Sequence, residues 1–273
     1  GVTMTGAVDV FILTFCRNLD LLYGTELIFQ TLRVGFQNAS ITVVDNASLP
    51  EASQRVGRLA RDNDCRFRQI PEPSIGHHEF LERTIADAAA AGTRPLVFLD
   101  PDLCLWASCE GFEFDALMAG KLVDAYEDDL FACVTMPRLH TSFLWIPDPR
   151  QLWGEIEKIR GKRFDFRPFL SFSVKLGDAW IRYDTGASLY AAIRNRTSCF
   201  TEEHLDRYDH IFCGSHLPLL QPRFNDKMRE MTLQIHELAK TGQIEALKGI
   251  RHWQDRVWAE VYGAARRHDR PQT

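Results

Sequence analysis

No stretch of this 273-residue sequence approaches the roughly 18 consecutive apolar residues that a membrane-spanning helix needs. Its opening residues, Gly1-Val2-Thr3-Met4-Thr5-Gly6, lack the charged and apolar regions of a secretory signal. The seven cysteines (Cys16, Cys65, Cys104, Cys109, Cys133, Cys199 and Cys213) are odd in number and scattered, with no Cys-x-x-Cys pair. That pattern argues against a disulfide framework or a zinc ribbon and for buried, reduced thiols, so a cytoplasmic protein is expected. There is no surplus of positive charge either. The net charge is −5, which argues against a nucleic-acid partner held by phosphate contacts alone. Internal repeats and low-complexity segments are also missing. What remains is ordinary globular composition, 45% hydrophobic and 25% charged, in a chain long enough for one large α/β domain.

The most informative stretch is Leu96-Val97-Phe98-Leu99-Asp100-Pro101-Asp102-Leu103. Arg94–Leu99 reads as a buried strand, because its apolar run has no polar interruption. Asp100 and Asp102 stand where that strand leaves the core. Two carboxylates there repel each other and resist ionisation unless a cation joins them. Hard divalent ions such as Mg²⁺ and Mn²⁺ take carboxylate and phosphate oxygens, so a metal-bound diphosphate suits the place. Without a ligand, the same residues would make a strand-end turn.

Val8–Phe15 reads as the first strand and Leu21–Phe36 as a helix. Ile41–Asn46 is a second strand, itself ending in a carboxylate, Asp45. A helix over Glu51–Asp62, a short strand over Cys65–Ile70 and a helix over Phe80–Ala91 then lead to Arg94–Leu99. The order βαβαβαβ implies a doubly wound, mostly parallel sheet with helices on both faces. Ligands of such sheets bind beyond the carboxyl ends of the strands, where Asp45, Asp100 and Asp102 fall. Further on, the spacing predicts a helix over Asp115–Glu127, a strand over Leu130–Met136, and a loop with exposed aromatics over Arg138–Pro149. A helix over Gln151–Arg160, a strand over Trp180–Tyr183, a helix over Ala187–Ile193 and a helical C-terminal extension complete the reading. This gives a nucleotide-sugar-binding half over 4–105, an acceptor-binding half over 106–224, and the extension over 225–273.

Four segments together resemble the inverting, family-2-type glycosyltransferases of the GT-A fold. They are Phe11–Asn18, Val43–Ser48, the Asp-x-Asp at Asp100-Pro101-Asp102, and His210 with Gly214-Ser215. The resemblance implies a metal-dependent transfer of sugar from a nucleotide-diphospho-sugar to an acceptor hydroxyl. It implies Mn²⁺ or Mg²⁺ on Asp102 and His210. Donor contacts would come from Thr14, Phe15, Arg17, Asp45, Gly76 and Asp100. A UDP-sugar is the leading donor, with GDP- or dTDP-sugars as alternatives, and the acceptor would be a glycan, a lipid-linked sugar or a small molecule. The general base that inversion requires falls on Asp184, in Tyr183-Asp184-Thr185-Gly186; as a helix N-cap it would need no chemistry. His216 is a second metal candidate. His77 and His78 read as a solvated loop, and Phe143, Trp145, Trp153, Phe169, Phe172 and Trp180 mostly as core. Basic residues from Lys248 to Arg270 offer peripheral contact with the inner face of a membrane, although a solvated helical face also explains them. Two other functions fit a related fold. A nucleotidyltransferase would need a glycine-rich basic phosphate loop near the N-terminus, which this chain does not have. A sugar- or nucleotide-binding module without catalysis would keep the same carboxylates.

Overall fold

The computed structural model describes residues 8–92, 94–128, 131–212 and 224–262. Four parallel strands come first: β1 (Asp9–Thr14), β2 (Ser40–Asn46), β3 (Arg66–Ile70) and β4 (Leu96–Leu99). The short β5 (Leu103–Leu105) follows, then β6 (Met118–Val123), β7 (Tyr126–Asp128), β8 (Cys133–Thr135) and β9 (Arg138–Ile146). The remaining strands are β10 (Phe172–Leu176), β11 (Ala179–Tyr183), β12 (Thr197–Cys199) and β13 (Tyr208–His210). A seven-stranded sheet runs in the order β12-β6-β9-β4-β1-β2-β3. Within it β9 alone is antiparallel to its neighbours β4 and β6. A four-stranded sheet, β10-β11-β8-β7, and the pair β13-β5 complete the strands.

Alternate residues of the central strands feed opposite faces, as the two-residue period of a strand requires. Val10, Ile12, Val97 and Leu99 enter one core with Val56 and Ala60 of α3 (Pro50–Asp62). Leu96 and Phe98 enter the other with residues of three helices. These are α4 (His77–Ala91), α5 (Pro149–Lys162) and α6 (Ala187–Ile193). The mixed, mostly parallel α/β sheet with helices on both faces is therefore as the sequence pattern indicates. After α7 (Glu202–Leu205), the C-terminal helices α8 (Asp226–Lys240), α9 (Ile244–Gly249) and α10 (Arg251–Tyr262) add two small cores of their own. Among the described residues, no helix is long and apolar enough to cross a membrane.

Three local expectations are corrected. The helix expected over Leu21–Phe36 is broken into α1 (Leu22–Glu26), a 3-10 turn (Leu27–Gln30) and α2 (Leu32–Gly35). The Ile28 amide leaves the helical ladder to donate to the Pro101 carbonyl (2.9 Å), and the Thr31 hydroxyl accepts from the Leu105 amide (2.8 Å). The segment is thus tied to the end of β4 instead of continuing its helix. The helix expected over Asp115–Glu127 is instead β6 and β7, because pairing of β6 with β9 and β12 and of β7 with β8 overrides helical propensity. The loop expected over Arg138–Pro149 is β9, whose nine residues are all buried. Its aromatics are core: Phe143 and Trp145 are 0% and 1% exposed and pack against Phe36 and Phe112.

Candidate active site

The parallel strands β1, β2 and β4 end on one edge of the sheet, where a cleft of about 550 Å³ opens. Phe15, Asp100, Asp102, His77, His140, His210 and Tyr262 are among the residues that line it. The chain leaves β4 at Asp100, whose amide donates to the Ser142 carbonyl of β9 (2.8 Å). It then enters β5, which pairs antiparallel with β13 so that His210 lies opposite Leu103. That register places the imidazole beside the residue before Leu103. His210 Nε2 is 3.1 Å from Asp102 Oδ1, and the Ile211 amide donates to the Asp102 carbonyl (3.0 Å). Asp100, Asp102 and His210 each bring one ligand atom to within 4.8 Å of the others.

The electrostatics of this cluster are those of a site built for a cation. Burial, and after it the Asp102 charge, push the Asp100 carboxyl up to about 7. Burial works to lower the pKa of His210, but the neighbouring Asp102 outweighs it and the imidazole stands above its ordinary value. His210 Nδ1 is buried with no hydrogen-bond partner among the described residues. Two carboxylates and an imidazole form a donor set that suits a divalent cation, which would offset the burial and the like charge that raise the Asp100 carboxyl.

Two groups that sequence reasoning missed, His140 and Tyr262, complete the walls with His77, which was expected in a solvated loop and instead begins α4 and lines the cleft. On β9, the Ser142 backbone N–H donates to His140 Nδ1 (3.1 Å), so that nitrogen is an acceptor. Burial and the nearby Arg138 charge hold His140 well below its ordinary pKa, so the ring is neutral. Its one proton therefore sits on Nε2 and is donated to the Tyr262 oxygen, 2.8 Å away. The Tyr262 hydroxyl keeps its own hydrogen to donate elsewhere, and the cleft lies beside it. His77, at the start of α4, is pushed down to about 4 by burial and by Arg138, so it too is neutral at pH 7. His140 was hidden inside a segment read as a loop. Tyr262 carried no sequence signal of its own; its ring packs against Trp258 at 4.6 Å.

The other expected site residues take varied positions. Phe15 lines the cleft and is 54% exposed, an open aromatic face at its mouth. Asp45 is 1% exposed. It accepts from the Thr14 hydroxyl (2.8 Å), the Ser48 hydroxyl (2.5 Å) and the Ser48 amide (3.3 Å), fastening β1 to the turn after β2. Arg17 lies at the rim, donating to the Ala47 carbonyl (3.0 Å) and to Glu72 (2.6 Å). Gly76 precedes α4, between the cleft-lining Ile75 and His77. Asp184 stands apart from the cluster, 3.3 Å from Arg138 and 3.6 Å from Arg182, and it accepts from the Thr185 amide. Burial alone would raise its pKa, but the two guanidiniums prevail and hold the carboxyl below the ordinary range. The turn that presents it needs Gly186, whose φ of +85° favours a residue without Cβ. Gly214, Ser215 and His216 lie outside the described residues.

No family model and no curated protein matches the sequence. Among solved structures, the bifunctional glycosyltransferase WbbM aligns over 87% of this chain at 12% identity and a TM-score of 0.46. The glycosyltransferase GlyE of Streptococcus pneumoniae aligns over 88% at 11% identity and 0.46. The galactosyltransferase LgtC, in complex with donor and acceptor sugar analogues, aligns over 86% at 11% identity and 0.44. This chain spans 45% of WbbM, 64% of that GlyE chain and 96% of LgtC. What the chain does is read below from its own site, since one fold hosts many chemistries.

Proposed function

We propose that the protein is a divalent-metal-dependent glycosyltransferase that moves a sugar from a nucleotide-diphospho-sugar to an acceptor hydroxyl with inversion. The observation that carries this reading is the Asp100–Asp102–His210 cluster, with Asp102 buried and the other two half-buried, lining a cleft at the carboxyl edge of a parallel sheet. Asp102 and His210 would hold the ion, with Asp100 beside them. When bound, the ion supplies Lewis-acid neutralisation of charge on the leaving diphosphate.

The chain's own side chains supply the rest. Phe15 offers its exposed ring for stacking on the nucleotide base. Arg17 stands at the rim, within the reach of a phosphate. Asp100 accepts from a ribose or donor-sugar hydroxyl once it is ionised. Tyr262 donates its free O–H to a diphosphate oxygen or to the sugar, held in that orientation by His140. Asp45, with Thr14 and Ser48, fixes the strand ends that shape the donor pocket, and Gly76 sets the start of α4 at its side. Asp184 receives the acceptor's proton as the hydroxyl attacks the anomeric carbon. Arg138 and Arg182 keep it ionised, and so ready to accept, while making it a weaker base.

Incubation with Mn²⁺ and a panel of nucleotide sugars, read as released nucleoside diphosphate, tests the assignment. Release should need the metal and be abolished by Asp102→Ala. Asp184→Asn should keep metal-dependent donor binding and lose about 10²–10⁴-fold in transfer, the usual worth of a general base. Donor binding without release, for every donor and acceptor tried, would instead identify a non-catalytic sugar-binding module. Full activity in Asp102→Ala would overturn the metal assignment.

A further inference from the structure

A second opening lies away from the cluster. It is an open trough of about 620 Å³ between the β10–β11 hairpin, the 163–170 segment and α6. The hairpin register sets Phe172 opposite Tyr183 and Val174 opposite Ile181, so these four side chains share one face. The Phe172 and Tyr183 rings stack at 5.0 Å. β10 is an edge strand with all five residues exposed, and Phe172 and Val174 are 39% and 36% exposed although apolar. Arg163 and Arg167 line the trough as well. Among the described residues neither has a carboxylate partner within ion-pair distance, although Asp165 also lines the trough; Arg163 lies over the Phe166 ring at 4.9 Å. Beside the trough, Phe164 is 93% exposed, and Leu176 and Trp180 near the hairpin turn are 61% and 48% exposed. Over residues 162–180 four bases face two acids, in a chain whose net charge is −5.

An apolar wall and uncompensated guanidiniums in one groove match an amphipathic ligand with an anionic head. We propose that the trough seats an anionic lipid and that the chain docks on an anionic bilayer through this face. The hairpin wall and the protruding Phe164 and Leu176 meet the acyl region, while Arg163 and Arg167 meet the phosphate. A second copy of the chain suits the surface less well. A two-fold interface here would bring the same arginines together, and Lys175 sits on the open edge that such pairing would use. Tyr183 lines the trough and the next residue, Asp184, contacts Arg138 near the cleft, so the docked face flanks the candidate active site. The proposal does not depend on the sugar-transfer reading.

Flotation of the full chain with vesicles tests it. Phosphatidylcholine vesicles containing about a third phosphatidylglycerol should carry the protein, and pure phosphatidylcholine vesicles should carry far less. Each basic residue at an anionic surface is worth about fivefold in binding, so R163Q/R167Q should bind about thirtyfold more weakly. F172S/V174S should weaken binding further at high salt, where the apolar contribution dominates. The arginine pair is exposed, so unchanged thermal melting will show that the variant is folded. Millimolar glycerol phosphate should not displace the protein, because a head group alone lacks the apolar half of the contact. Equal flotation of wild type and R163Q/R167Q, competition by glycerol phosphate, or no flotation with anionic vesicles would overturn the proposal. So would a dimer broken by L176S in a chain that ignores vesicles.

Discussion

Replacing Asp100 with asparagine should stabilise the metal-free protein, and only at high pH. Folding moves this carboxyl from an ordinary value near 3.8 to about 7, because it is buried beside Asp102. A carboxyl raised in the folded state binds its proton more tightly there than in the unfolded chain. Wild-type stability therefore falls as pH rises from about 4 to about 7 and levels off above that. The full shift corresponds to roughly 4 kcal/mol, and water entry and relaxation around the pair cut this to about 2 kcal/mol. The neutral amide of the Asp100→Asn variant carries no such penalty. In EDTA the variant's melting temperature should exceed the wild type's by roughly 4–8 °C at pH 8 and match it near pH 4. Added Mn²⁺ should reverse the order at pH 8, because the ion turns wild-type repulsion into ligation. Differential scanning fluorimetry across pH 4–8, with and without the ion, measures both effects. A variant no more stable than wild type at pH 8, or one whose advantage is the same at every pH, would refute the like-charge cluster.

Two further outcomes follow from the same geometry. Tyr262→Phe removes a donor hydroxyl while keeping the ring packed against Trp258; donor turnover should fall about ten- to a hundredfold with the fold intact, and unchanged kcat/KM would show that the hydroxyl does not reach substrate. Trp145→Ala empties a site that is 1% exposed near the end of β9 and should cost about 3–5 kcal/mol in urea unfolding. A loss below about 1 kcal/mol would mean that β9 is not the buried strand described above.

Most of the first hundred residues were legible because their strands carry unbroken apolar runs and their helices clear periodicity; the broken helix over Leu22–Gly35, tied to Pro101 and Leu105 far along the chain, was not. Leu96–Leu99 followed by Asp100 and Asp102 needed nothing beyond itself to mark a strand end with a pair of carboxylates. The second half hid its central element. In β9, Arg138, His140 and Ser142 interrupt the apolar pattern, because His140 lines the cleft, Ser142 hydrogen-bonds it and Arg138 pairs with Asp184. A strand that helps to build a site reads as a loop for that reason. The β13–β5 register that brings His210 to Asp102 joins residues 108 apart in sequence, and no local signal specifies it. Tyr262 lay further still from its partner His140, 122 residues away, and entered the site only through the packing of α10. Asp45 was legible as a strand-end carboxylate, but its saturation by Thr14 and Ser48 was not.

The most direct test of the central claim is anomalous diffraction from crystals soaked with Mn²⁺ and a nucleoside diphosphate. One strong manganese peak is expected within coordination distance, about 2.0–2.3 Å, of Asp102 oxygen and His210 nitrogen. The diphosphate should lie on its open side and the base against Phe15. A peak elsewhere, or a diphosphate bound without any ion at this cluster, would contradict it.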